Sequence, residues 1–469
     1  MLPISTNVLF LITVLVGTFH MANTESKLSY SSKTPYHPGD LNNVSEPSGC
    51  TAVQLNMVLR HGSRYPCTDY TLAIVDLLKK INQLHVSKPY KYNNLTLPWN
   101  LPHEYHIAGN CEQSDAGNQE IYELAKRFKK KYPRLFVQKY WNKFYTFVTS
   151  GTPRTAKSAS TFGYGLFEGK GTLGLNKYQP IGIIFSGLKD KDKVLRYYDT
   201  CSRYKREINE GNGLEEWQKF GLSDPMKTVI KNIEGRLQLK GKIELSADSV
   251  QKLFWLCAFA TMNQENRDWC SVFNKEDLEV LAYYDDINQY YRHSYGNEIS
   301  YRTNCPLLAD ITHSLKGFVI QNQSYPYGIF RFTHIGTMTA LQSVLGMYND
   351  SVQLKANNFA EQRNRTFRIS RNVPMSANMA FVLYKCEKKS NHMVQLLINE
   401  RPAVLPCCGY GSLCSFQTFL SCYEPISNNC DFDKMCQFPR PTKVSVSSPR
   451  DKHGTWVCLS LLMVLLLFL

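Results

Sequence analysis

The segment from Gln54 to Cys67 constrains the fold of this chain more than any other. Its apolar run from Leu55 to Leu59 predicts a buried strand, and the apolar spacing further on predicts a helix from Asp69 to Leu84. Residues 60–64, which read RHGSR, lie between the two. This order places His61 at the carboxyl end of a strand, where open α/β sheets bind ligands. Two arginines that flank a histidine offer planar, permanently charged donors, so the loop predicts a site for a phosphoryl group.

The same arrangement occurs twice more along the chain. The alternating segment Phe144 to Thr149 predicts a strand, and Arg154 follows it after a break and opens a helical pattern. Near the end, Ile329 to Thr333 predicts another strand, which is followed by His334 and a predicted helix from Thr337 to Met347. Neither segment predicts a site by itself, and Arg154 and His334 become candidate site residues only through a family resemblance.

These three segments resemble one protein family. RHGSRYP at 60–66 resembles the RHGxRxP signature of the histidine phosphatases, in the branch that contains acid phosphatases, phytases and multiple inositol polyphosphate phosphatases. Arg154, with Ser158 and Phe162 behind it, resembles the arginine-led helix start of that branch, and His334 resembles its second histidine. The resemblance extends from about Cys50 to Pro406.

Four later segments are similar to the multiple inositol polyphosphate phosphatases in particular: Asp268 to Phe273, Tyr283 to Gly296, Val373 to Tyr384 and Gln395 to Glu400. The resemblance implies an α/β fold with a histidine-phosphatase-like sheet core, flanking helices and a mostly helical inserted cap region. It implies one phosphatase domain over residues 43–405. The α/β core would cover about 43–167 and 303–405, and the helical insertion about 168–302.

The resemblance also implies a mechanism and a set of site residues. His61 would attack phosphorus and form a phosphohistidine, while Arg60, Arg64, Arg154 and His334 would surround the phosphoryl oxygens. No metal and no cofactor are needed, because the guanidinium groups supply the positive charge. The substrate class is an inositol polyphosphate, and bisphosphoglycerate is a second candidate.

One position departs from the family pattern. In the multiple inositol polyphosphate phosphatases the second histidine opens a His-Ala-Glu triplet, whose glutamate is the proton donor. Here the triplet reads His334-Ile335-Gly336. Because general acid catalysis contributes about 10²–10⁴-fold, its loss would slow the reaction without removing the binding site. An alternative function is therefore a weak or inactive relative that binds polyphosphates, and a third is a structural or adhesion protein of the cell surface.

The charge of the chain agrees with an anionic ligand. Lys and Arg number 54 against 39 Asp and Glu, a formal net charge of +15. The densest basic run, Lys126 to Lys131, is typical of a solvated helix face, and no zinc-finger or RNP-like pattern accompanies it, so a nucleic-acid partner is not expected. A GxGxxG match at 169–174 lacks a preceding strand, and the two histidines at 103 and 106 lack metal-site spacing.

The two ends of the chain predict where the protein resides. An apolar run near the start predicts a signal peptide over residues 1–22. At the other end, residues 456–469 are nearly all apolar but shorter than the roughly 20 residues of a spanning helix. A Ser-rich stalk at 438–448 and an anchor signal at 449–469 predict attachment to the cell surface through a GPI lipid.

Cysteine usage supports a secreted protein. Of 15 cysteines, Cys458 lies in the predicted anchor signal, and the remaining even number predicts disulfides. Six of them lie within residues 406–437, which predicts a small Cys-rich appendage whose pairing is left open. The oligomeric state is left open as well. Five sequons predict N-glycosylation, at Asn43, Asn94, Asn322, Asn349 and Asn364.

Overall fold

The computed structural model describes residues 29–107, 110–321, 325–387, 392–409 and 411–438. The predicted signal peptide (1–22) and anchor signal (449–469) lie outside the described residues, as does the predicted stalk apart from Phe438. Within the described part of the chain, no helix has the length and apolarity needed to cross a membrane.

A mixed sheet of eight strands forms the centre of the described structure, in the order β10-β8-β7-β1-β6-β4-β5, with β9 paired to β8. A separate hairpin is formed by β2 and β3. The strands are β1 (Cys50–Arg60), β2 (Tyr90–Tyr92), β3 (Leu95–Leu97), β4 (Tyr145–Thr149), β5 (Ile183–Phe185), β6 (Gly328–Thr333), β7 (Asn378–Cys386), β8 (His392–Ile398), β9 (Arg401–Ala403) and β10 (Leu413–Ser415).

The three strands predicted from the sequence are neighbours. β6 lies between β1 and β4, and all three run parallel. Arg60 pairs with Thr333 in one ladder, and Thr149 pairs with Phe332 in the other. Since parallel strands end at the same edge of a sheet, the loops after β1, β4 and β6 meet there. This confirms the predicted α/β fold class and its strand ends.

Helices cover both faces of the sheet. On one face Leu55 and Phe330 pack in a cluster that includes Ile121 of α3 and Phe162 of α4. On the other, residues such as Val58 pack in a cluster with α12, α13 and α15. The central strands are therefore buried on both sides, which explains their long apolar runs. The helices are α1 (Thr68–Gln83), α2 (His103–Ile107), α3 (Asp115–Lys131), α4 (Pro153–Phe167), α5 (Tyr197–Thr200), α6 (Ser202–Tyr204), α7 (Glu215–Gly221), α8 (Asp224–Arg236), α9 (Ala247–Met262), α10 (Lys275–His293), α11 (Glu298–Arg302), α12 (Cys305–Gln321), α13 (Ile335–Val344), α14 (Ile369–Asn372), α15 (Phe416–Asn428) and α16 (Phe432–Met435).

The segment expected to be a helical insertion, residues 168–302, contains α5 to α11. It also contains β5, which pairs in parallel with β4 at one edge of the main sheet. The sheet core therefore extends beyond the boundary expected at residue 167. The strand has only three residues, too few for its apolar pattern to stand out in the sequence.

The cysteine-rich segment 406–437 is not a separate appendage. β10 pairs with β8 and extends the main sheet, and Phe419 of α15 is fully buried against it. Two disulfides, Cys305–Cys430 and Cys201–Cys436, join the segment to the rest of the fold. Crowded cysteines suggested a locally stapled unit, but half of the pairs that involve this segment reach distant partners.

Disulfides join all fourteen cysteines other than Cys458, as the even count predicted. Cys50–Cys386 links β1 to β7, and Cys67–Cys111 closes the segment after the RHGSR loop. The other pairs are Cys201–Cys436, Cys257–Cys270, Cys305–Cys430, Cys407–Cys422 and Cys408–Cys414. Seven bridges in one chain indicate an oxidising environment, either the secretory pathway or the extracellular space.

Two glycines let the loop after β1 pack on α3. A Cβ on Gly117 would lie 2.1 Å from the carbonyl oxygen of Ser63, and one on Gly62 would lie 2.5 Å from that of Gly117. Ser114 caps α3 and donates its backbone N–H to Ser63 O at 3.0 Å. The loop that carries His61 therefore lies directly on the first turn of α3, at a separation that only glycine permits.

We predict that Gly117→Ala destabilises the fold by about 1–3 kcal/mol, because backbone atoms of the loop must move to admit the methyl group. Gly235→Ala is the matched control, since it is also a helical glycine but a Cβ there meets nothing within 4 Å. The control should be neutral or up to about 1 kcal/mol more stable, because alanine favours helix. Urea unfolding measures both. Equal effects of the two substitutions would contradict the packing described.

A second prediction concerns the cross-link between α12 and the C-terminal segment. Replacing Cys305 and Cys430 together by serine should lower the free energy of unfolding by about 2–4 kcal/mol, because a long closed loop is released in the unfolded chain. Limited proteolysis should then cut first within residues 411–438. Unchanged stability and unchanged cleavage would show that packing and the remaining Cys201–Cys436 disulfide hold this segment without Cys305–Cys430.

Candidate active site

The five residues predicted to form a site come together at the carboxyl edge of the sheet. His61 follows β1, Arg154 lies in the first turn of α4 after β4, and His334 follows β6 as the N-cap of α13. The rings of His61 and His334 lie 5.5 Å apart, edge to face. Arg154 Nη2 is 3.2 Å from His334 Nδ1. The parallel strand ends thus bring together five residues that are spread over 275 positions of the chain.

His61 is oriented with one ring nitrogen free to react. Its Nδ1 lies 2.9 Å from the carbonyl oxygen of Gly62. A carbonyl only accepts hydrogen bonds, so Nδ1 carries the proton and donates it, and Nε2 keeps its lone pair. Burial, followed by the positive charges of Arg154 and Arg60, lowers the pKa of His61 well below its ordinary value. The imidazole is therefore neutral and nucleophilic over the whole physiological range.

Arg60 and Arg64 are buried and held by backbone oxygens rather than by carboxylates. Arg60 donates from Nη1 to Val373 O and from Nη2 to Ser32 O, both at 2.8 Å. Arg64 donates from Nη1 to Tyr65 O at 2.7 Å. Burial lowers the pKa of each guanidinium to about 9, so both remain charged at neutral pH.

These arginines and Arg154 have donor capacity to spare. The Nε atom of each is buried without a hydrogen-bond partner. Across the described residues, none of the three forms an ion pair with a carboxylate. Removing charges from water costs several kcal/mol per ion when nothing compensates them. Three such groups around one imidazole define a site for an anion.

His334 contacts more donors than it can satisfy. Its Nε2 lies 2.7 Å from Arg196 Nη1 and 2.9 Å from Ser150 Oγ, while Arg154 approaches Nδ1. Burial, then the charges of Arg154 and Arg196, lowers the pKa of His334 well below its ordinary value, so the ring is neutral. A neutral imidazole has one acceptor nitrogen, so in either tautomer one guanidinium faces an N–H. An anion oxygen between them would accept from both.

Arg196 is a site residue that the sequence analysis missed. It is buried, and its Nε donates to Asp199 Oδ2 at 2.6 Å, which fixes the guanidinium beside His334. It follows the polar run Lys189 to Lys193, within the region that was expected to be a helical insertion. Nothing in its local sequence distinguishes it from a surface arginine.

Lys33 was missed as well. It is 8% exposed, donates to Ser32 Oγ at 2.8 Å and lies 4.5 Å above the centre of the Trp255 ring. Burial is the main cause that lowers the pKa of its ammonium to about 7, with Asp285 opposing and the charges of Arg64 and Arg60 adding to the shift. A lysine in a serine-rich stretch gave no signal, because its proximity to the arginines arises only from the tertiary fold.

Glu120 of α3 supports the loop from behind. It accepts from Ser63 N at 3.1 Å, from Ser63 Oγ at 2.8 Å and from Ser376 Oγ at 2.6 Å. Burial raises the pKa of its carboxyl, against these hydrogen bonds. Glu120 therefore joins the loop after β1 to the start of β7 and holds His61 in place.

The space beside Gly336 is filled by another histidine. A Cβ on Gly336 would lie 2.6 Å from Cε1 of His293, too close for any side chain. His293 Nδ1 lies 3.1 Å from Tyr197 Oη, whose hydroxyl donates to Ser300 O at 2.5 Å. Nδ1 therefore carries the proton and donates to Tyr197. Gly336 and His293 fit each other, and the ring occupies the volume that a glutamate would need.

Metal ligation finds no support in the described residues, where no three His, Cys, Asp or Glu side chains are grouped to hold an ion. The chemistry that the arrangement can perform is displacement at an anionic centre. A neutral imidazole nitrogen would attack, and fixed guanidinium groups would stabilise the charge of the transition state.

Comparison with known proteins agrees with the geometry. The chain is 28% identical over 403 residues to multiple inositol polyphosphate phosphatase 1 of Gallus gallus, covering 84% of this chain and 86% of that protein. It is 29% identical over 421 residues to the Homo sapiens protein of the same name, covering 84% of each.

Solved structures share the fold. The phytase from D. castellii superposes with a TM-score of 0.70 at 18% identity, covering 87% of this chain and 86% of that one. Multiple inositol polyphosphate phosphatase from Bifidobacterium longum, in complex with inositol hexasulfate, superposes with a TM-score of 0.62 at 16% identity, covering 84% of this chain and 97% of that one.

The model of the histidine phosphatase superfamily (branch 2) matches residues 53–399, which contain all five predicted site residues. The chain belongs to this family, the histidine acid phosphatases.

Proposed function

We propose that this protein is a phosphomonoesterase that removes phosphate from inositol polyphosphates through a phosphohistidine intermediate. The observation that carries the proposal is the set of buried guanidinium groups of Arg60, Arg64 and Arg154, which lack carboxylate partners and surround an unprotonated His61 nitrogen. A phosphate group supplies both the electrophile for the imidazole and the acceptors that the guanidinium groups lack.

In the first step His61 Nε2 attacks phosphorus while the ester oxygen departs on the opposite side. The guanidinium groups bind the equatorial oxygens, where charge develops. His334 donates one further hydrogen bond, from its ring N–H to an oxygen of the anion. In the second step water attacks the phosphohistidine and releases inorganic phosphate. Fixed donors in a buried site supply most of the stabilisation in such transfers.

The substrate class follows from charge and from the relatives. The proteins from Gallus gallus and Homo sapiens carry the name multiple inositol polyphosphate phosphatase 1, and a structural relative is a phytase. The charges of Arg64 and Arg60 contribute to the lowered pKa of Lys33, so Lys33 lies close to both and extends the set of cations beyond a single phosphate. A ring with several phosphates uses this surface better than a simple monoester. Bisphosphoglycerate, with two phosphates, is a secondary substrate.

We place the protein on the outside of the cell, attached by a GPI lipid. Seven disulfides support the secretory route. The lipid anchor depends on the sequence pattern at 449–469 alone. Four of the five N-glycosylation acceptors lie among the described residues, and their side chains are exposed: Asn43, Asn94, Asn349 and Asn364.

One observation favours the alternative of a protein that binds polyphosphates with little turnover. Gly336 provides no acid, and His293 leaves no room for one at that position. The two functions differ in whether the ester bond of an inositol phosphate is broken, and a direct assay separates them.

We predict that the protein releases phosphate from inositol hexakisphosphate and that His61→Ala lowers the rate at least 10³-fold, because the nucleophile is lost. Protein quenched in alkaline denaturant should carry phosphate in an acid-labile, alkali-stable linkage that is absent from the variant. His313→Ala, at an exposed position of α12, is the control and should retain full activity. Equal rates for the wild type and His61→Ala would leave polyphosphate binding as the function.

Binding of a polyanion should change the protonation of Lys33. The pKa of the Lys33 side chain is about 7, so at pH 8 most of it is the neutral amine in the free protein. A bound anion favours the charged ammonium form. We therefore expect uptake of up to about one proton when inositol hexasulfate binds, measured by calorimetry in buffers of different ionisation enthalpy. Sulfate esters do not titrate near pH 8, so the uptake belongs to the protein.

Lys33→Met should abolish most of this uptake and weaken binding, whereas Lys79→Met, at an exposed position of α1, should change neither. Proton uptake that persists in Lys33→Met would contradict the assignment of Lys33 to the substrate surface.

A further inference from the structure

Hydrolysis of an inositol phosphate requires a proton on the departing oxygen, because an alkoxide is a poor leaving group. This inference rests on the proposed function and asks which group supplies that proton. The carboxylates nearest to the site are engaged elsewhere. Glu120 accepts from Ser63 and Ser376 behind the loop, Asp199 is paired with Arg196, and Asp285 accepts from the backbone of Ser32.

Tyr198 is a hydroxyl-bearing side chain at the place where the acid is needed. It lies in α5, directly after Arg196 and Tyr197, and its ring is half-buried. The Arg196 guanidinium lies 5.7 Å from the ring centre, and Arg196 in turn contacts His334. Tyr198 also affects the charge of Arg154, as the second largest influence on the pKa of that arginine after burial. The ring therefore borders the two arginines that flank His334.

The same ring packs against the histidine that fills the space beside Gly336. The ring centres of Tyr198 and His293 are 5.3 Å apart, edge to face. The hydroxyl of Thr337, the residue after Gly336, interacts with the Tyr198 phenol and favours its ionised form. Tyr198 thus lies beside the first turn of α13, next to the position from which a side chain at residue 336 would project.

We propose that Tyr198 is a catalytic residue, the proton donor to the leaving oxygen of the substrate. As the bond between phosphorus and the ester oxygen breaks, the electron pair leaves with that oxygen and the phenol proton transfers to it. The positive charges of Arg196 and Arg154 stabilise the phenolate. In the second step the phenolate accepts a proton from the water that attacks the phosphohistidine. The phenol and a neutral His61 are restored, and phosphate departs.

The protonation of the phenol suits this role. Burial raises the pKa of Tyr198 to about 12, against the lowering effects of Arg196, Arg154 and Thr337, while Asp199 raises it further. The phenol therefore holds its proton at any working pH and is available to donate it.

His293 is a weaker candidate for the same role. Its Nδ1 proton is donated to Tyr197, and burial lowers the pKa of the ring to about 3, so its Nε2 carries no proton at pH 5–8. His293 therefore acts as a positioning residue. Its ring fills the space beside Gly336 and packs against the ring of Tyr198.

Leaving groups of different basicity test the proposal. Tyr198→Phe removes only the hydroxyl, and kcat/KM would be measured for inositol hexakisphosphate and for p-nitrophenyl phosphate, whose leaving group needs no proton. We expect a loss of about 10²-fold or more for the inositol substrate and less than about 3-fold for the aryl ester. Tyr178→Phe, at an exposed and distant position, is the control and should leave both rates unchanged.

A pH profile of the wild type provides a second test that does not depend on how a variant folds. After correction for the ionisation of each substrate's phosphate groups, whose second pKa is about 6, the ratio of kcat/KM for the two substrates should stay constant from pH 5 to pH 8, because the phenol keeps its proton. The proposal would be overturned by a ratio that falls with the titration of a carboxylic acid. It would also be overturned if Tyr198→Phe loses both activities equally or loses neither. Failure of the proposed function looks different, since wild type and His61→Ala would then be equal on both substrates.

Discussion

Unpaired buried charge is the interaction on which this site depends. Backbone carbonyls hold Arg60 and Arg64 near His61, and Arg154 lies against His334. Among the described residues, none of the three forms an ion pair with a carboxylate. Burial, together with the same charges, lowers the pKa of His61 and of His334 and keeps both rings unprotonated. Repulsion among these buried cations destabilises the empty site, and a bound phosphate group offsets that repulsion. The protein is therefore more stable with the site occupied than with it empty.

The rest of the structure positions that charge. Parallel pairing of β1, β6 and β4 brings three strand ends to one edge, and the Gly62–Gly117 contact with Glu120 behind it fixes the loop that carries His61. Disulfides then lock the periphery, including Cys67–Cys111 just after the loop. Packing, backbone hydrogen bonds and covalent links thus hold mutually repelling groups within a few ångströms.

Sequence reasoning predicted the parts of the site that lie at the ends of apolar strands, because a buried strand followed by Arg or His leaves a local pattern. His61 was found in this way, and Arg154 and His334 were then found through the family resemblance of the segment that contains His61. Lys33, Arg196 and Tyr198 were not, since their role depends on contacts made across the fold. The fit of His293 against Gly336 is a tertiary contact between α10 and α13, so the glycine could be interpreted from sequence only as a loss. The same limit explains the cysteine-rich segment, whose partners at Cys201 and Cys305 lie far away in the chain.

The most direct test of the central claim is a crystal structure of the protein with orthovanadate, which adopts the trigonal-bipyramidal shape of phosphorus during transfer. We expect vanadium to be bonded to Nε2 of His61. Its equatorial oxygens should be bound by Arg60, Arg64 and Arg154, and one oxygen should accept a hydrogen bond from His334. Vanadate bound elsewhere, or held in this pocket without a bond to His61, would contradict the claim that the buried cations exist to present a phosphoryl group to that nitrogen.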